Sequence, residues 1–347
     1  MRFYTGQHRH TCGIDLHART IHVCILGEKG DKLLHRSLDA TPEAFLQAVA
    51  PYRDDLVVGV ECMYAWYWLA DLCAVEGIEF VLGHALYMKA IHGAKAKNDR
   101  IDSLKIASLL RGGNFPVAYV YPRAMRSTRD LLRRRLYFVR KRAELLAHLR
   151  ILNGQYNLRE DLGRIAVAKN REGLGERFSD PAVAKSVWAN LELLDHYDEL
   201  IAQLERYLLA QAKVQDPLAL ALLLSMTGIG KILGMTMLYE IHDVGRFARV
   251  QEFASYARLV KCEHSSGGKR KGFGGAKIGN AHLKWAFSEA AVLFYAKSAE
   301  AKVLVDRLAK KHGKAKALSI FAHKIGRTVY YMLKHREAFH MPTFLKT

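Results

Sequence analysis

The stretch TCGIDLHARTIHVCILG, residues 11–27, decides how this chain is read. It holds two β-rich apolar runs, 11–17 and 21–27, separated only by Ala18, Arg19 and Thr20, so the two predict neighbouring strands joined by a tight turn. Asp15 interrupts the first run. Acids avoid strand interiors unless they are paired or bind a metal. A second apolar run, DLVVGVE (55–61), ends in another acid, Glu61, and KNDRIDS (97–103) places Asp99 and Asp102 three residues apart just ahead of a helical pattern. On a helix these two share a face about one turn apart. A strand acid, a strand-end acid and an i, i+3 pair are the donors a Mg2+ site needs, because Mg2+ takes oxygen ligands and keeps several waters for a substrate phosphate to replace. Each acid alone has a plainer reading: Asp99 as a helix N-cap, Asp102 as a surface residue.

Outward from those acids, the first third of the chain alternates strand and helix signals. KLLHRSL (32–38) follows a Gly30-Asp31 turn as a third strand, and Thr41-Pro42-Glu43 reads as a helix start with Thr41 as N-cap. DLVVGVE is a fourth strand. YAWYWLADLCAVEG (64–77) is a helix closed by Gly77, IEFVLG (78–83) is a fifth strand, and a short helix is expected around 85–92. The helix after KNDRIDS ends at Gly112-Gly113. A β-β-β-α-β-α-β-α order predicts an α/β ribonuclease H-like domain, the class that includes RuvC-type nucleases, over residues 1–122.

Residues 123–212 lose the strand signal and predict a helical, coiled-coil-like middle arm. From Arg123 to Arg150 there are ten Arg or Lys and two acids, Asp130 and Glu144, beside a Leu-rich apolar seam. Arg129, Arg133, Arg134 and Arg140 are the candidates here for contacts to a nucleic-acid backbone; a solvated charged face is the plainer alternative. Residues 213–347 predict a mostly α-helical C-terminal domain. Within it, MTGIG (226–230) reads either as a phosphate-facing helix-hairpin-helix turn or as ordinary helix packing.

Composition agrees with a polyanion partner. The 347 residues carry 53 Lys plus Arg against 34 Asp plus Glu, a formal net charge of +19, with 50% hydrophobic residues. That is a folded, basic protein rather than a disordered tail. The five cysteines form no CxxC pair, so neither a zinc ribbon nor a disulfide framework is indicated. No apolar span long enough for a membrane helix is present, and the first residues lack a signal-peptide core. The expected location is the cytoplasm of a bacterium or archaeon.

The last constellation is SSGGKRKGFGGAKIGNAHLK (265–284). Its glycines permit close backbone approach. Lys269, Arg270, Lys271 and Lys277 are suited to neutralising phosphates. A serine on such a loop can act as a nucleophile, although from the residues alone a backbone clamp is the stronger reading.

GIDLH, GVEC, KNDRIDS, MTGIG and the Ser-Gly to Gly-Asn segment, in that order over roughly 11–300, resemble the DEDD-type insertion-sequence transposases, the family of the Piv DNA invertases and the bridge-RNA-guided recombinases. The resemblance implies a RuvC-like domain with catalytic, metal-binding Asp15, Glu61, Asp99 and Asp102 and with Mg2+ (Mn2+ as substitute). It implies a C-terminal transposase domain whose catalytic serine directly precedes glycine, which selects Ser266 over Ser265. It further implies cutting and rejoining of donor and target DNA through a phosphoserine link, a guide (bridge) RNA from the element's own ends, and a homodimer or tetramer. One departure stands out: the family's Gly-Leu-x-Pro before the loop is Arg258-Leu259-Val260-Lys261 here. The rival expectations are a RuvC-class junction nuclease that uses metal alone and a nucleic-acid-binding protein without catalysis.

Overall fold

The computed structural model describes residues 2–91, 98–158, 164–274 and 278–346. The chain divides into two compact units, 1–124 and 125–347.

In the first unit the strands are β1 (Phe3–Tyr4), β2 (His10–Leu16), β3 (Thr20–Gly27), β4 (Lys32–Asp39), β5 (Leu56–Glu61), β6 (Glu79–Gly83) and β7 (Phe115–Pro116), and the helices are α1 (Pro42–Val49), α2 (Trp66–Val75), α3 (Ala85–Ile91) and α4 (Asp99–Arg111). β1 and β7 pair only with each other; the other five form one mixed sheet in the order β4-β3-β2-β5-β6. β3 runs antiparallel to both β2 and β4, while β5 runs parallel to β2 and β6 parallel to β5. The expected element order therefore folds into a single five-stranded sheet with β2 at its centre.

The period-2 pattern of β2 assigns its two faces. Cys12, Ile14 and Leu16 point to the side covered by α1 and α2, where they join Phe45, Val58, Val60, Leu69 and Cys73 in a buried cluster. Gly13 and Asp15 point to the other side, which α4 covers. Gly13 pairs with Gly59 of β5. A Cβ on Gly13 would lie 2.2 Å from the Ala107 backbone nitrogen and 2.3 Å from the Ser103 carbonyl oxygen, and one on Gly59 would lie 2.4 Å from a Leu110 methyl. Two adjacent strand glycines thus make the flat seat on which α4 lies.

The second unit contains α5 (Arg123–Gln155, from Met125 onward), α6 (Pro181–Gln215), α7 (Pro217–Leu224), α8 (Lys231–Ile241), α9 (Val250–Tyr256), the hairpin β8 (Cys262–Ser266) and β9 (Lys269–Gly274), then α10 (Ala281–Lys297), α11 (Ala299–His312), α12 (Lys314–His335) and α13 (Met341–Lys346). The α5/α6 pair has a small core of its own far along the helices, built from Leu146, Leu149, Ile165, Phe178, Val187 and Leu194. Nearer their other ends, Met125, Leu132 and Leu208 enter the main core with the C-terminal helices. The helices expected over 123–212 fall, from Met125 onward, in the second compact unit together with the C-terminal helices. The MTGIG turn is packed inward: Gly228 has φ +91°, and a Cβ there would lie 2.7 Å from the Ala290 carbonyl and the Phe294 nitrogen of α10. Close helix packing, rather than phosphate approach, explains that glycine. Among the described residues no helix is long and apolar enough to cross a membrane.

Candidate active site and nucleic-acid interface

In the first unit, geometry follows from register. Ile14 pairs with Val60, so Asp15 and Glu61 come next on adjacent parallel strands and share the face that α4 covers. Asp15 is the penultimate residue of β2, so it lies at the strand's end rather than in its middle, and its side chain keeps 20% exposure. α4 begins just beyond that end. Its N-cap is Asn98, whose Oδ1 accepts from the Ile101 nitrogen at 2.8 Å, which leaves both Asp99 and Asp102 in the first helical turn. His35 on β4 donates from Nε2 to the Arg100 carbonyl at 2.9 Å and ties that turn to the sheet.

The result is a cluster of one ligand atom each from Asp15, His17 and Asp99, all within 4.8 Å of one another. His17 Nε2 lies 3.6 Å from Asp15 Oδ2 and 3.5 Å from Asp99 Oδ2. These separations exceed hydrogen-bond length. They approach the ~3 Å between adjacent donors on an octahedral ion with bonds near 2.1 Å. The donor set therefore fits a divalent cation. Glu61 is half-buried on the same face and end, and Asp102 holds Lys105 Nζ at 3.3 Å; both stand outside the tight three-donor set. His22, which pairs with Asp15 across β2 and β3, has its pKa lowered by burial first and by the neighbouring His35 second, against the opposing charge of Asp99.

In the second unit, the Ser-Gly segment is a β-hairpin. Ser266 pairs with Lys269 and Ser265 with Arg270. Gly267 and Gly268 connect them with φ +59° and +72°, the double positive φ of a type I′ turn, and a Cβ on either would meet nothing within 4 Å. Ser265, Ser266, Lys269 and Lys271 are exposed. Ser266 therefore sits at the last paired position before an open tip, with Lys269 opposite it on the same face. A bulge between His264 and Ser265 shifts the register, and the two serines, consecutive in the strand, face opposite sides. Lys277 lies outside the described residues, as does the side chain of Arg270.

Residues 12–156 match the DEDD transposase family of the IS110 group, described as "Transposase", and residues 220–305 match the "Transposase IS116/IS110/IS902 family". The chain is a transposase similar to the IS110/IS116 group over these two segments. It is 24% identical over 339 residues, 94% of this chain and 90% of the relative, to the "Transposase for insertion sequence element IS1111A" of Coxiella burnetii. It is 28% identical over 240 residues, 66% of this chain and 68% of the relative, to a "Probable family 20 transposase" of Pseudomonas aeruginosa. The matched segments carry the acid cluster and the serine hairpin respectively. A transposase acts on DNA, so the remaining question is which of its cations face outward.

The basic helix α5 of this transposase divides its arginines between two jobs. Arg134 and Arg140 are exposed, and Arg134 stacks over the Tyr137 ring at 5.4 Å. Arg129 is buried and donates from Nε to Glu240 Oε2 at 3.0 Å; Arg133 donates from Nε to Oε1 at 2.6 Å and from Nη2 to Oε2 at 3.0 Å. The expectation that all four arginines face a phosphate backbone is thus corrected for Arg129, and Arg133 is committed to the same carboxylate. Glu240 is 1% exposed. Burial works against its ionisation, but the Arg133 hydrogen bond and the charges of Arg129 and Arg133 outweigh it and hold the pKa below the usual carboxylate range. Sequence reasoning missed both His17, which reaches Asp99 only through the fold, and Glu240, which sits in an apolar helical run.

Proposed function

We propose that this transposase cuts and rejoins DNA through Ser266, and that the acids of its first unit hold a divalent ion the reaction requires. The observation that carries the reading is Ser266 itself: an exposed residue beside a two-glycine turn, opposite Lys269, where a Cβ on either turn glycine would meet nothing within 4 Å. In the cutting step, Ser266 Oγ attacks phosphorus and loses its proton, a P–Oγ bond forms, and the bond to the deoxyribose oxygen breaks as that oxygen takes up a proton. In rejoining, a strand hydroxyl attacks the phosphoserine and Oγ leaves. The bond energy is retained throughout, so no nucleotide cofactor is needed. Lys269 and Lys271 stand ready to neutralise the phosphate oxygens.

Asp15, Glu61, Asp99 and Asp102 are the proposed ligands of the divalent ion, Mg2+ in this reading with Mn2+ as substitute. When bound, the ion supplies charge stabilisation at the phosphate. The antiparallel β2-β3-β4 followed by parallel β5 and β6 supports a RuvC-like assignment for this unit. Guidance by an element-encoded bridge RNA is part of the same proposal; it rests on the sequence resemblance and on the +19 charge. So does assembly as a dimer or tetramer, which exposed Trp188, Leu193 and Tyr207 on α6 support.

The test is covalent trapping on the full chain with DNA, flanking-element RNA and Mg2+. Wild type should form a protein–DNA adduct, and Ser266→Ala should lose it while still binding DNA. Adduct in the alanine variant would refute the serine assignment. Cleavage by Ser266→Ala without adduct would favour the metal-only nuclease. Asp99→Ala should abolish metal-dependent turnover, and unchanged turnover would remove that residue from the site.

A further inference from the structure

The tip of the serine hairpin, residues 265–269, is exposed, while its root is held by several buried contacts. Asn280 follows the hairpin and caps α10. Its Oδ1 accepts from the His282 and Leu283 nitrogens at 2.9 and 3.0 Å, and its Nδ2 donates to Glu240 Oε2 at 2.7 Å and to Tyr256 Oη at 3.2 Å. Two donors and two lone pairs are all that an asparagine side chain has, so this one is saturated. It is also buried, 6% exposed. The backbone closes the same ring: the Asn280 nitrogen donates to the Tyr256 carbonyl at 2.5 Å, and a Cβ on Gly279, φ +92°, would lie 2.6 Å from that oxygen. On the side where the chain enters the hairpin, Arg258 takes a left-handed φ of +54° and donates from Nε to the Gly279 carbonyl at 2.9 Å. This is the position where the family pattern has glycine. Here an arginine accepts the backbone strain and uses its side chain to bind the outgoing strand to the incoming one.

We infer that Glu240 and Asn280 are positioning residues for Ser266: they form a buried tether that fixes both stems of the hairpin to α5 and α8. The inference rests on Ser266 being the nucleophile. A helix cap alone explains only half of the Asn280 contacts. The other half point away from α10, at a carboxylate already held by Arg129 and Arg133, and through them at α5. A nucleophile on a bare two-glycine tip has no side chain of its own to orient it, so its placement must come from the root, and small displacements of an attacking oxygen are costly.

Asn280→Ser separates the two halves. Serine keeps the cap but is too short to reach Glu240. The expected result for the full chain is a slightly lowered thermal transition, because Glu240 loses one donor but keeps Arg129 and Arg133, and DNA binding like wild type. Amide exchange should be about tenfold or more faster in peptides spanning 254–262 and 278–284, with α12 unaffected, and adduct formation should slow by a similar factor. Asn280→Asp, which caps α10 but turns a like charge on Glu240, should show the same changes more strongly. Wild-type exchange at both stems in Asn280→Ser overturns the tether. Faster exchange with an unchanged adduct rate overturns its positioning role. Failure of the serine reading itself shows up differently, as adduct that survives Ser266→Ala, and the exchange measurement then still decides whether the tether exists.

Discussion

Gly13→Ala tests how the fold brings Asp99 to Asp15. The new methyl would lie 2.2 Å from the Ala107 nitrogen and 2.3 Å from the Ser103 oxygen, against the 3.4 Å at which such contacts become ordinary. Both neighbours are backbone atoms of α4, and Gly13 lies on a central strand hydrogen-bonded on both sides. Neither can rotate away, so α4 must rise from the sheet by about 1 Å or the strand must bend, at a cost of about 1–3 kcal/mol. Asp99 rides on the first turn of α4, and its partners Asp15 and His17 ride on β2 and just after it. A displacement of that size separates the three donor atoms, now within 4.8 Å, by a large fraction of their spacing. The expected outcome is a lowered thermal transition of the first unit together with Mn2+ binding, read by electron paramagnetic resonance, weakened by roughly tenfold or more. Ser108→Ala, exposed on the same helix and away from its first turn, serves as a control for stability. If Gly13→Ala binds Mn2+ like wild type and melts where wild type melts, the seat of α4 on the two glycines does not set the geometry of the acidic end.

Four further outcomes concern the second unit. Replacing exposed Arg134 or Arg140 by Gln should flatten the dependence of log Kd on log salt by about one each, as expected for a phosphate contact, in a DNA-binding titration across salt; Arg129→Gln should instead lower the thermal transition, because it strips a partner from a buried carboxylate at a cost of about 3–5 kcal/mol. Burial, aided by the nearby Arg133, Arg140 and Arg129 against the opposing Glu240, lowers the His282 pKa to about 4. The unfolded chain therefore takes up a proton between pH ~6.5 and about 4 that the folded chain does not, so denaturation midpoints should fall as pH drops through that window and the slope should shrink in His282→Gln. Gly268→Val places a β-branched residue at φ +72°, so it should fray the hairpin tip, with amide exchange rising at Lys269 while the thermal transition of the helices stays put.

The strands of the first unit are legible in the sequence because each is a short apolar run bounded by turn residues, and Asp15 and Glu61 stand out against those runs. The start of α4 is less so: Asn98, Asp99 and Asp102 are all capable caps, and only the backbone shows that Asn98 takes the role. His17 carries no local signal, since its partner Asp99 is 82 positions away and their approach depends on the helix seating on Gly13 and Gly59. The inward turn of Arg129 and Arg133 was hidden for the same reason. A charge on a helix reads as solvated until its counter-charge is known, and Glu240 lies more than a hundred residues on. The β8–β9 hairpin has a different cause. Its strands are rich in Gly, Lys and Ser, poor strand formers by propensity, and the one strong cue, Gly-Gly between short runs, was outweighed by the helical surroundings.

The Glu240 centre has one more consequence. Two guanidinium groups converge on a single carboxylate; Arg129 and Glu240 are 10% and 1% exposed and Arg133 34%. Mobile ions screen a buried pair far less than an exposed charge. The hold of this centre on Asn280, and through it on the root of the serine hairpin, should therefore persist at ionic strengths that strip DNA from Arg134 and Arg140.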